Sequence, residues 1–166
     1  LRNRAVVIWG VLQFPGSCDE RDALNACTIA SGGFGGHAKL VWHEETDLSG
    51  FDGIVVPGGF SYGDYLRAGA IARFAPAMEA VADFAAAGGP VLGICNGFQV
   101  LCESGLLPGA LLTNESTRFI CRQGDLIVQE SDSLFLTGYE AGERISIPFK
   151  HQSGRFFAPP EMLEQI

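Results

Sequence analysis

Val91-Leu92-Gly93-Ile94-Cys95-Asn96-Gly97-Phe98-Gln99-Val100 begins as an apolar run of strand length and passes into helical spacing, with one cysteine between two glycines at the seam. Pro90 to Ile94 reads as the strand. Beyond the seam, Phe98, Leu101, Cys102 and Gly105 fall at i, i+3, i+4 and i+7, which predicts a helix over about 96–104 with that face on a sheet. A strand that runs directly into a helix is half of a crossover unit, so the question is whether the chain repeats it.

It does. Ala5-Val6-Val7-Ile8-Trp9-Gly10-Val11-Leu12-Gln13-Phe14 is nearly continuous apolar sequence ended by Pro15-Gly16, the pattern of a strand buried on both faces. Ser17 and Glu20 have capping-box spacing and are followed by Ala23, Leu24, Ala26 and Cys27, which predicts a helix to about Ala30. Lys39–His43 and Gly53–Pro57 are short β-branched runs, the second stopped by Gly58-Gly59. Phe74, Met78, Val81 and Ala85 form a helical stripe, with Pro76 suited to the first turn and Gly88-Gly89 to the exit. Alternation at these intervals implies right-handed crossovers and a doubly wound α/β fold, mostly parallel, with helices on both faces. After Leu107, Phe119–Cys121, Asp125–Val128 and Arg144–Ile147 read as strands without helices between them, a short antiparallel extension after about residue 110. Gly33-Phe34-Gly35-Gly36-His37-Ala38 can be forced onto G-x-G-x-x-A but follows a helix and precedes a strand, so it reads as a loop rather than a dinucleotide site.

Size and composition fit this outline. The 166 residues, 47% hydrophobic and 18% charged, are enough for one globular domain over 1–166. A formal charge of −8 without a basic cluster argues against nucleic acid as a partner, and no apolar span reaches membrane length. No cleavable leader is visible at the N-terminus, so a cytoplasmic location is expected. Cys18, Cys27, Cys95, Cys102 and Cys121 are an odd number without a C-x-x-C pair, which suits neither a disulfide framework nor a zinc site. Most are expected to be small buried hydrophobes, and no metal site is expected.

Cys95 differs from the others by its setting. In open α/β sheets ligands collect at the carboxyl ends of the strands, where Cys95 stands. Gly93 and Gly97, two positions away on either side, are the small neighbours that a sharp strand-to-helix turn needs, as in G-x-S-x-G nucleophile elbows. The helix start favours a thiolate and offers N–H groups to an oxyanion. The competing reading is a core cysteine whose glycines only let strand and helix approach. Cys102, on the buried face, is read as packing. Pro57-Gly58-Gly59-Phe60-Ser61-Tyr62-Gly63-Asp64 leaves another central strand at the same edge, so the N–H groups of its glycines and of Asn96 can form a two-donor oxyanion hole; alone, this loop is equally well a flexible turn.

Four phrases together resemble one family: "VLQFPGS" (11–17), "VVPGGFSYGDYLRAGAIA" (55–72), "LGICNGFQVL" (92–101) and "GLLPGALLTNESTRF" (105–119). The chain from about Val6 onward is similar to the glutamine amidotransferase component of phosphoribosylformylglycinamidine synthases, a triad-type class I amidotransferase of flavodoxin-like fold. The resemblance implies that Cys95 is the nucleophile of a γ-glutamyl thioester and that Gly59 and Asn96 supply the oxyanion N–H groups. It further implies that Gln99, Asn114, Ser116 and Arg118 line the L-glutamine pocket. Ammonia would pass to a synthetase subunit, with a small accessory subunit as a further partner, and ATP and magnesium would act on the synthetase while this chain holds no cofactor.

The resemblance places the catalytic base in a His-Pro-Glu phrase, which is expected beyond Ile166. Of the three histidines only His151 follows Cys95, and "IPFKHQSG" (147–154) matches a different family phrase, usually His-Gly-Glu-Gly, so His151 is not expected to be the base. His37 and His43 read as surface or edge residues. Ser17 followed directly by Cys18, where the family has an intervening Asn, and the Gly-rich 31–36 segment are local departures. Two other classes fit the elbow by itself: a stand-alone hydrolase or glyoxalase-like protein, and a non-enzymatic regulatory or binding module. The phrases at 60–64 and 114–118 favour the glutaminase over the hydrolase.

Overall fold

The computed structural model describes residues 6–32, 36–129 and 133–166. The glycine-rich segment at 33–35 and the Ala5 start expected for the first strand lie outside them. The chain divides into two compact units, Leu1–Leu112 with Phe156–Ile166, and Thr113–Arg155.

The first unit contains β1 (Ile8–Gln13), α1 (Glu20–Gly32), β2 (His37–Trp42), β3 (Gly53–Val56), α2 (Pro76–Ala86), β4 (Val91–Gly93), α3 (Asn96–Glu103) and β5 (Ala110–Leu112). The second contains β6 (Ile120–Ile127) and β7 (Arg144–His151). β8 (Arg155–Phe157) pairs with β5, and α4 (Pro160–Leu163) ends the chain.

Strands β1 to β4 form one sheet of order β2-β1-β3-β4, with every described pairing parallel. The order reverses at β1, which places the switch point of a doubly wound sheet between β1 and β3. Alternate residues of the central strands face opposite layers. Leu12, Ile54 and Val56 pack with Met78 and Val81 of α2 and Val100 and Leu101 of α3, whereas Val11 and Val55 pack with Ala23 of α1. Complete burial of an aliphatic side chain of this size stabilises by about 1.5–3 kcal/mol, so these two apolar layers hold the sheet's carboxyl edge in place.

Three local expectations change. Helix α1 starts at Glu20, not at a Ser17 cap. The Ser17 hydroxyl accepts from the Phe14 N–H at 2.9 Å while the Ser17 N–H donates to the Phe14 carbonyl at 3.0 Å, so Ser17 closes a turn instead. Phe74 lies before α2 in a 3-10 turn and is exposed, with the Arg73 guanidinium 4.7 Å from its ring centre; Met78 and Val81 carry the stripe. The runs at 119–121 and 125–128 belong to one continuous strand, β6, which pairs antiparallel with β7 from Ile120↔His151 to Ile127↔Arg144 as its own two-stranded ribbon. Gly124 is not a break there: its missing side chain leaves the space occupied by the Phe149 ring.

Candidate active site

Three loops leave the carboxyl edge of the parallel sheet, following β1, β3 and β4. The first two are tied by backbone bonds. The Cys18 and Asp19 N–H groups both donate to the Gly58 carbonyl at 3.2 Å, the Phe60 N–H donates to Gly16 at 2.9 Å, and the Tyr62 N–H donates to Pro15 at 2.6 Å. This lacing forms an isolated antiparallel bridge between Ser17 and Gly59 and uses the Gly58 carbonyl and the Phe60 N–H, passing over the Gly59 N–H. Gly59 has φ +146, a backbone geometry that side chains resist.

The third loop is the elbow. Cys95 has φ +52 and ψ −110 immediately before α3, a conformation that costs of order 1–3 kcal/mol for a non-glycine residue and persists only where the surroundings impose it. Here they do. A β-carbon on Gly97 would collide with the Val56 carbonyl, and one on Gly93 would come 2.6 Å from the Leu101 side chain. The Ile94 N–H donates to the Val56 carbonyl and the Gly97 N–H to Ile94, fixing both sides of the turn. The result is an exposed Cys95 thiol at the start of α3, where the first N–H groups have no intrahelical acceptor.

The register Val56↔Gly93, continued by two residues, sets Gly58 beside Cys95. A β-carbon at Gly58 would stand 3.5 Å from the Cys95 β-carbon and would overlap the Asp19 carboxylate, so both side chains crowd against bare Gly58. Sequence reading gave Asp19 no role beyond the supposed capping box. Its position could have been inferred only from the pairing of the two loops.

Asn96 is buried, and every polar atom of its carboxamide is engaged. Oδ1 accepts from the Ser61 N–H at 3.0 Å, while Nδ2 donates to Asp64 Oδ1 and to Gln99 Oε1, each at 3.0 Å. Gln99 is also buried, with its carbonyl turned to Asn96. Burial raises the Asp64 carboxyl above the usual aspartate value, against the opposing pull of hydrogen bonds from Asn96 and from the Gly69 backbone.

The elements of the first unit therefore bring together Cys95, Gly59, Asn96, Gln99, Gly93 and Gly97. Asn114, Ser116 and Arg118 lie in the second unit. There the Asn114 side chain organises its own loop: Nδ2 donates to the Arg118 and His151 carbonyls at 2.9 and 3.0 Å, and Oδ1 accepts from the Gly154 N–H at 3.0 Å. His151 Nδ1 lies 2.9 Å from the same Oδ1, and its ring stacks on Phe149. Ser116 and Arg118 are exposed, and the Ser116 hydroxyl accepts from the Arg118 N–H at 3.3 Å. His43 Nδ1 is 2.9 Å from the Tyr62 hydroxyl.

The other cysteines correct one expectation. Cys102 is buried, its thiol pushed up by burial and then by the Glu103 charge, as packing implies. Cys18 and Cys121 are exposed, because one lies in the laced loop and the other on a ribbon strand, neither inside a core. Among the described residues no group of His, Cys, Asp and Glu side chains could hold a metal ion, and no helix is long and apolar enough to cross a membrane.

Residues 6–166 match the CobB/CobQ-like glutamine amidotransferase domain. The chain is 53% identical to the phosphoribosylformylglycinamidine synthase subunit PurQ of Rhodococcus jostii, over 95% of this chain and 68% of that protein. It is 50% identical to the same subunit of Streptomyces avermitilis, over 95% of this chain and 65% of that protein. The chain thus spans about two thirds of the length of these curated relatives. Among solved structures, that of PurLQS from Thermotoga maritima superimposes with a TM-score of 0.86 at 41% identity, covering 93% of this chain and 71% of the matched one.

Proposed function

The chain belongs to the PurQ family of glutamine amidotransferases, and from that premise we propose that it is the glutaminase component of a phosphoribosylformylglycinamidine synthase, releasing ammonia from L-glutamine through Cys95. The observation that carries the proposal is the left-handed Cys95 at the elbow, exposed beside the Pro57–Asp64 loop. Attack on an amide carbon needs a strong nucleophile, and donors at the oxygen on which charge develops.

The thiolate sulfur of Cys95 bonds to the γ-carbonyl carbon of glutamine, and the carbonyl electrons move to oxygen, which accepts hydrogen bonds from the Gly59 and Asn96 N–H groups. Collapse breaks the carbon–nitrogen bond, ammonia leaves with a proton, and water then cleaves the thioester to give glutamate and free Cys95. Donors of this kind are worth roughly 10²–10³ in rate each. The proton for the leaving ammonia comes from a histidine, which the family carries in a His-Pro-Glu phrase not found within residues 1–166. Pocket-lining roles for Gln99, Asn114, Ser116 and Arg118 belong to the same proposal and rest on the likeness of their phrases. The exposed Arg118 suits a substrate carboxylate, whereas the amides of Gln99 and Asn114 are engaged within their own units.

The partner is a synthetase subunit that consumes the ammonia with ATP and magnesium to convert formylglycinamide ribonucleotide to the amidine, together with a small accessory subunit. The solved PurLQS assembly of a 41% identical protein supports a complex of this kind. Cys95→Ala, assayed in the complex, is expected to abolish glutamine-dependent amidation and to leave ammonia-dependent amidation intact. Unchanged glutamine-dependent turnover would overturn the proposal.

A further inference from the structure

The two proposed oxyanion donors stand on different elements. Gly59 belongs to the loop after β3, and Asn96 opens α3. Their spacing decides whether they can serve one oxygen, since such donors act only within about 2.7–3.1 Å of the developing charge. Something must therefore fix the loop to the helix.

The Asn96 carboxamide spans that gap. Its Oδ1 takes the Ser61 N–H, two residues past Gly59, and its Nδ2 reaches Asp64, five residues past Gly59, as well as Gln99 one turn along α3. Asn96 is only 2% exposed, so each of these bonds forms away from bulk water, where loss of a partner is expensive. Asp64 also accepts from the Gly69 backbone, which joins the far end of the same loop. The loop conformation is costly: the non-glycine residues Tyr62, Asp64 and Leu66 have φ of +53, +53 and +71. Left-handed residues persist only when their surroundings hold them; Asp64 meets the first residue of α3, while the Arg67 guanidinium meets the last, Glu103, at 2.6 and 2.7 Å.

We propose that Asp64 is a positioning residue for the glutaminase reaction: through the Asn96 carboxamide it locks the Gly59 loop to the start of α3 and so sets the spacing of the two oxyanion donors. Its proposed action runs through Asn96. The inference rests on the glutaminase reading above. It requires an acceptor at 64, so asparagine, whose Oδ1 can still receive Asn96 Nδ2, preserves most of the lock, whereas alanine opens it.

The test uses the protein in complex with its synthetase. For Asp64→Ala, glutamine-dependent kcat is expected to fall about 10- to 100-fold, part of the loss seen when a single oxyanion donor is removed, with KM for glutamine changed less than threefold and ammonia-dependent amidation unchanged. Asp64→Asn is expected to recover kcat to within a fewfold of the parent. Alkylation of Cys95 by iodoacetamide, read by peptide mass, displaces iodide without building charge on a carbonyl oxygen, so its rate should match the parent in both variants. A parental kcat in Asp64→Ala overturns the inference. So does a matching fall in alkylation, which would mean that the elbow itself had collapsed, and so does a failure of Asp64→Asn to recover. If Cys95→Ala in the same assay retains glutamine-dependent turnover, the glutaminase reading fails instead, and the two failures are told apart.

Discussion

Strands β3 and β6 are opposite solutions to the same backbone geometry. All four residues of β3 are buried, with Ile54 and Val56 facing one helical layer and Val55 the other. Strand β6 is twice as long, yet none of its residues is fully buried, and its apolar Leu126 and Ile127 are half exposed. The first strand is held by side chains and the second by its hydrogen-bonded partner, aided by Arg122 lying 5.2 Å from the Phe149 ring centre. Cys95, the proposed nucleophile, follows β4, which lies alongside the first of these two strands. A strained cysteine needs walls that do not yield, and packed aliphatic layers resist displacement in a way that a two-stranded ribbon does not.

The contrast can be broken most forcefully at Gly97. A valine there meets the Val56 carbonyl, a backbone atom held in the sheet, so Gly97→Val is expected to lose most soluble folded protein, measured as yield and thermal midpoint. Leu12→Ala removes a fully buried side chain and should destabilise by about 2–5 kcal/mol. Leu126→Ala, on the ribbon, should stay within about 0.5 kcal/mol. Denaturant titration of both variants checks the pair, and equal losses would refute the distinction drawn between the two strands.

The smallest effect concerns pH. Because the Asp64 carboxyl is raised in the folded chain, mainly by burial, the folded state holds its proton after the unfolded state has released it. Stability should therefore decline as pH rises from the usual aspartate range through the raised folded value, then level off. Asp64→Asn should lack that decline in a stability profile across acidic pH.

Much of the first unit was legible because its signals are local. β1, β3, α2 and α3 follow from apolar runs and periodicity, and the elbow follows from glycines two positions either side of Cys95. What escaped depended on partners distant in sequence. Ser17 looks like a helix cap until Phe14 claims its hydroxyl, and 119–121 and 125–128 look like two strands until the Phe149 ring fills the space beside Gly124 in one continuous strand. The Asn96 clamp joins positions 61, 64 and 99, and no periodicity announces that a buried amide will unite them. Asn114 is similar: its resemblance to a pocket residue was readable, its bonds to the Arg118 and His151 carbonyls were not.

The bare face of Gly97 against the Val56 carbonyl also fixes how this region can vary. If codons 93 to 98 were randomised together and folded protein recovered without any demand for activity, position 97 should return glycine almost alone. Position 95 should admit serine, alanine and other small residues. On the proposed function, only a selection for ammonia release would restore cysteine there, so the same six codons would separate what the architecture demands from what the chemistry demands.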